Sequence, residues 1–238
     1  MAIIVRDRRK TMDSTGSPLD RDGDDTNYRS APVADAHAQA RAISEPILAA
    51  LCAKGGHPVP SLEIVDALPG GDTSTARASS IRGAGTIELP HNLTKDLSHD
   101  GLESLLGHEL GHMIRKRSPT MMFRHIFYWL FIPLAVAAPV IWAVGGITNT
   151  KSLYITGASA LFLLALSSLG IAMALSRKHE ADCDLFSHQL AGSFPGAVEH
   201  LGSYRAREKF AKRRTPWNAL MAHHPKAQRR IDLIQKRA

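Results

Sequence analysis

Cysteine is nearly missing from this 238-residue chain: Cys52 and Cys183 are its only two. That is too few for a disulfide scaffold and fits a reducing compartment. Aromatic residues are scarce as well, at 6%. Residues 1–30 lack the apolar core of a secretory signal; they hold Arg6-Asp7-Arg8-Arg9-Lys10 and an Asp/Gly/Ser-rich stretch around Asp20–Asp25. Such a composition predicts a solvated, disordered tail. The absence with the largest consequence is that of charge. No Asp, Glu, Lys or Arg occurs from Ile126 to Ile147, nor from Leu153 to Leu175. Each run has the roughly 20 apolar residues that cross a bilayer.

Tyr128, Trp129 and Trp142 lie near the ends of the first run and Tyr154 at the mouth of the second, where interfacial aromatics sit. Pro133 and Pro139 are tolerable in a membrane helix. A buried pair of soluble helices is the alternative, disfavoured at this length. The short connection Thr148–Lys151 makes the two runs a hairpin. Arg115, Lys116, Arg117 and Arg124 precede it, Arg177 and Lys178 follow it, and its tip offers only Lys151. This bias predicts that both flanking parts face the cytoplasm of a multi-pass inner-membrane protein.

Acidic residues are in deficit, 22 against 29 Lys and Arg, for a net charge of +7. Nucleic acid or anionic lipid would suit that balance. The apolar runs decide for the lipid bilayer. The basic stretch from Arg205 to Arg214 reads as a solvated helix face or a contact with anionic headgroups. No nucleic-acid-binding module accompanies it, so no nucleic-acid partner is expected.

What the chain does have is Leu105-Leu106-Gly107-His108-Glu109-Leu110-Gly111-His112-Met113. H-E-x-x-H puts two imidazoles one helical turn apart on one face, able to grip a single ion. Neutral imidazole suits zinc and leaves room for a third ligand and a water. Glu109 then stands beside that water as a proton acceptor. Leu102, Leu105, Leu106, Leu110, Met113 and Ile114 recur at helical spacing. Asp100 with Glu103 reads as a capping box, and Ser118-Pro119 ends the helix. Gly107 and Gly111 each cost about 1 kcal/mol of helix propensity and leave space for a backbone or substrate to come close.

Ahead of this helix, a helix is expected from Val33 to Lys54, with Ala40, Ile43, Ile47, Leu48 and Leu51 inward and Gly55-Gly56 as its stop. Pro58–Leu68 and Gly85–Leu89 read as strands, with a turn at Gly70–Asp72. The second strand, just before the H-E-x-x-H helix, is either an ordinary edge or an exposed edge that pairs with an extended peptide. Helices are also expected over Pro195–Lys212 and from Pro225 through Gln235.

A third ligand is sought after the second run, in Ser176-Arg177-Lys178-His179-Glu180-Ala181-Asp182-Cys183-Asp184. If the span continues as helix, Glu180, Asp184 and His188 share a face. Glu180 is a good zinc ligand, and Asp184 one turn later can hold a ligating imidazole by its second N–H. His179, Asp182 and His188 compete, the first two from other sides of the helix.

H-E-L-G-H, two intervening spans and S-R-x-x-E-x-x-x-D at Ser176–Asp184 resemble the HtpX-like and CAAX-prenyl-protease type of membrane zinc endopeptidase. His224-Pro225 with Arg230-Ile231 is similar to that family's H-P-x-x-x-x-R-[IL] segment. The likeness spans about Glu45 to Leu233. It implies a mainly α (α+β) zincin-like domain with a short β-sheet, interrupted by the hairpin. The corresponding organisation is a tail over 1–30, catalytic halves over 31–125 and 176–238, and the hairpin over 126–175. It also implies zinc on His108, His112 and Glu180, Glu109 as base, and Asp184 orienting a ligand. His224 and Arg230 are implied to stabilise the oxyanion or bind the substrate backbone. The expected substrates are membrane proteins or segments emerging from them. Two segments depart from the family pattern: its N-A-F reads Thr73–Ala78 here, and its E-[FY]-x-A-D reads E-A-D-C-D. A catalytically silent membrane scaffold of the same fold is the rival reading.

Overall fold

The computed structural model describes residues 31–69, 71–73, 75–81, 84–147, 151–210 and 225–237. The tail over 1–30, the hairpin tip at 148–150 and His224 fall outside them, as do the side chains of the basic stretch from 205 to 214.

Helix α1 runs over Ala31–Gly55. It ends where Gly56 takes φ 67° and the His57 N–H donates to the Cys52 carbonyl at 2.9 Å, a turn that suits glycine. Its inward side is Ala40, Ser44, Ile47, Leu48 and Leu51. Ile43, expected inside, is 39% exposed, because Ser44 occupies the buried position of that turn.

Three strands follow: β1 (Ser61–Val65), β2 (Arg77–Ile81) and β3 (Ala84–Pro90). Their order is β1-β3-β2. β1 pairs parallel with β3, with Ser61 opposite Thr86, and β2 pairs antiparallel with it, with Arg77 opposite Glu88. The strand before the H-E-x-x-H helix is therefore the centre of the sheet and not an edge. Its two flanks are already hydrogen-bonded, so no peptide can add to it. Alternation on β1 and β3 turns Leu62, Ile64, Ile87 and Leu89 into one core with Leu102, Leu105, Leu106 and Leu110 of the next long helix.

After the short α2 (Leu93–Asp96), that helix is α3 (His99–Arg115). Its N-cap is Ser98, whose side chain accepts from the Gly101 N–H, and not Asp100. Asp100 sits in the first turn and accepts from the Ser193 hydroxyl at 2.7 Å. Ser98 in turn donates its N–H to Glu199 at 2.8 Å. The start of α3 is thus tied to the helix α6 (Phe194–Phe210) rather than to its own third residue.

Pro119 opens α4 (Pro119–Ile147), with the Ser118 carbonyl accepting from the Met122 N–H at 3.1 Å. α5 (Lys151–Ala191) pairs along α4 and continues unbroken past the apolar run to Glu180, Asp184 and His188. Both helices are long and apolar enough to cross a membrane. The outward side chains fit that: Trp129, Trp142 and Leu163 are each more than 60% exposed. A water-facing helix pair would not leave so much apolar area uncovered. The last helix, α7 (Ala227–Gln235), lies against α5 and α6, burying Arg230, Ile231 and Ile234.

Candidate metal centre

The site forms where α3 crosses α5, and its two glycines decide how close that crossing is. A Cβ on Gly107 would stand 2.8 Å from the Ser187 Oγ and 3.3 Å from its Cα. One on Gly111 would stand 3.2 Å from the Cα of Cys183. The space left by these glycines is filled by the backbone of α5, not by substrate. Replacing Gly111 with Val should overpack this crossing and lower stability by about 1–3 kcal/mol, with weaker metal retention. Thermal unfolding and metal analysis of the variant check it; a wild-type melt would show that the approach is not limiting.

With the helices this close, the Nε2 atoms of His108 and His112 lie 3.0 Å apart. The Glu180 carboxylate meets them at 3.6 Å from His108 Nε2 and 3.5 Å from His112 Nε2. Donors around a tetrahedral zinc, each about 2.0–2.2 Å from it, sit roughly 3.3–3.5 Å from one another. The three groups converge closely enough to hold one such ion, with the two nitrogens a few tenths of an ångström inside that spacing. His108 and Glu180 are buried, while the His112 side chain is 25% exposed and marks the open side.

Behind the donors stands a charged relay. Asp184 Oδ1 lies 2.9 Å from His108 Nδ1. Arg230 holds the same carboxylate with two bonds, Nε at 2.6 Å and Nη2 at 2.5 Å, and its Nη2 is also 3.9 Å from Glu180. Burial alone pushes the His108 imidazole down, but the hydrogen-bonded Asp184 outweighs it and raises the net value above the ordinary one. An ionised Asp184 keeps the proton on Nδ1 and leaves the Nε2 lone pair facing the centre.

Residues 49–238, most of the chain, match Peptidase family M48. The chain belongs to that family. No curated protein and no solved structure gave a match.

Within this M48 chain the sequence-expected residues divide. His108, His112 and Glu180 come together, with Glu109 buried on the same helix and Asp184 and Arg230 behind. His188 lies two turns beyond Glu180 and meets Phe194 edge-on, ring centroids 6.4 Å apart. Asp182 faces away, into a separate cavity. His179 is the unexpected one. It is turned from the Glu180 face, yet its Nε2 lies 3.2 Å from Nδ1 of His112, with Cys183 Sγ 3.6 Å from the same nitrogen. An imidazole has two nitrogens on different sides, so a residue off the ligand face can still hold a ligand. His200 of α6 also went unread in the sequence. Its ring centroid is 5.6 Å from that of His108, and its Nδ1 is 3.5 Å from the Ser104 Oγ. Only the tertiary packing of α6 on α3 brings it there.

Proposed function

We propose that this chain is a membrane-embedded, zinc-dependent endopeptidase acting on proteins in or emerging from the bilayer. The observation that carries the reading is the convergence of His108, His112 and Glu180 on one zinc-sized point inside an M48 fold. His108 and His112 bind through Nε2, and Glu180 supplies the third donor from beyond the hairpin. Zinc held there supplies Lewis-acid polarisation of a carbonyl and makes a water acidic enough for a carboxylate to deprotonate. Glu109 takes that proton and passes it to the leaving amine.

Asp184 and Arg230 are positioning residues in this reading. Arg230 is 1% exposed and holds Asp184 through Nε and Nη2, which supports a role in orienting a ligand rather than in meeting an oxyanion. His112 is oriented from its other nitrogen by His179. His224 remains the candidate for the oxyanion. An extended peptide docks along the outer side of β2, the edge strand that packs near α3, by strand addition. The positive flanks of the hairpin put this centre on the cytoplasmic side.

The test is metal content together with hydrolysis. Purified in detergent, the wild type should hold one zinc and digest casein or itself until a chelator removes the metal. Glu180→Ala should lose most of its zinc at equal protein. Unchanged zinc in that variant would move the third position to another residue. Zinc retained by the wild type with no hydrolysis of any protein offered would favour a silent scaffold.

A further inference from the structure

On the side of α5 turned away from the metal centre, α5 and the C-terminal segment that includes α7 flank a half-open cavity of about 380 Å³. Arg177 and Lys178 line it from α5, Arg229 from α7 and Arg237 from the turn just past the end of α7. Against these four cations stands one carboxylate, Asp182. Among the described residues, Lys178, Arg229 and Arg237 have no ion-pair partner.

Height and lining narrow the occupant. The uncharged run of α5 ends at Leu175, so Arg177 and Lys178 stand about 3–5 Å beyond it, in the headgroup layer. Ala174, one turn below Lys178, continues the lining into the apolar run, where Ile171 is exposed. Arg229 and Leu233 lie one turn apart on one face of α7, and Arg237, two residues past the helix end, lines the same cavity. A phosphate with an attached hydrocarbon satisfies both halves of this surface. Arginine forks suit phosphate oxygens, and the aliphatic lining suits an acyl chain.

We propose that this cavity binds the headgroup of an anionic glycerophospholipid, its phosphate held between Arg177 and Lys178 of α5, Arg229 of α7 and Arg237 just past the end of α7. A zwitterionic lipid would set its own cation against these four. Occupancy pins α7 to α5, and α7 is the helix that delivers Arg230, next to Arg229, to Asp184. The bound lipid is thereby a structural support of the metal centre. The inference rests on α4 and α5 crossing the bilayer and not on peptide hydrolysis.

Native mass spectrometry of the full chain, released from micelles containing phosphatidylglycerol and phosphatidylcholine, reads retention directly. One phosphatidylglycerol should stay bound in preference to phosphatidylcholine. The pair Arg229→Gln with Arg237→Gln should weaken that retention about thirtyfold, from the usual gain per basic residue near a membrane surface. Arg229→Lys with Arg237→Lys should stay close to wild type, which separates charge recognition from a general loss of structure. Equal retention of both lipids, or wild-type retention by the Gln pair, overturns the proposal. Equal thermal stabilisation by millimolar inorganic phosphate also overturns it, in favour of a soluble phosphate ligand. Full-length chain that stays dispersed without detergent would overturn the bilayer reading itself, and this proposal with it.

Discussion

Glu109→Gln is expected to lower peptide hydrolysis by about 10²–10⁴-fold while leaving the zinc content unchanged. The amide keeps the size of the carboxylate but cannot accept the proton of the attacking water. Glu109 is only 4% exposed, on the helix that carries both imidazoles, and the structure groups His108, His112 and Glu180, not Glu109, as the donor set. Metal should therefore stay while turnover falls. The comparison needs wild type and variant in the same detergent, with and without chelator. Equal, chelator-insensitive digestion by both would remove the protease reading.

The second large effect is expected at Arg230→Met. That substitution leaves the Asp184 carboxylate buried without its bidentate partner, and breaking a buried pair from one side costs about 3–5 kcal/mol. Adding Asp184→Asn removes the stranded charge and should restore much of the lost stability. Zinc affinity should nevertheless stay about 10–100-fold low, since His108 has lost the carboxylate that fixes its Nδ1 proton. Thermal unfolding and zinc titration of the two variants separate these effects. A single variant that melts like the wild type would show that the pair of Arg230 and Asp184 contributes no net stability. Full recovery of affinity in the double variant would reduce the pair to a packing role.

The parts that followed helical periodicity were legible in the sequence. H-E-x-x-H places two donors by spacing alone; helix continuation, which α5 shows, put Glu180, Asp184 and His188 on one face, and the family resemblance was needed to choose Glu180 and Asp184 among the competing residues. The hairpin was legible because an uncharged run of that length has few other uses. Strand order was not. β2 is Arg77-Ala78-Ser79-Ser80-Ile81, small and polar, and it gives no alternating signal to mark it. Without it, the strand at Gly85–Leu89 looks like an edge. The Ser98 cap was masked by Asp100, a better-looking residue two positions on, because its decisive partner is Glu199, about a hundred residues away. The pairing of Arg230 with Asp184, and of His179 with the far nitrogen of His112, are likewise contacts between distant segments that no local pattern announces.

The unbroken course of α5 makes it a lever whose long arm ends at Glu180, the third donor of the candidate metal centre. Taking the middle of its apolar run as the fulcrum, Glu180 lies roughly 24 Å along the axis, so a 10° swing displaces it by about 4 Å. That exceeds the 3.5 Å separating its carboxylate from the imidazole of His112. Transmembrane helices change inclination to match the thickness of the surrounding lipid. The close packing of α3 on α5 at Gly107 and Gly111 is what would hold the third donor in reach of the imidazoles when bilayer thickness changes the tilt of α5.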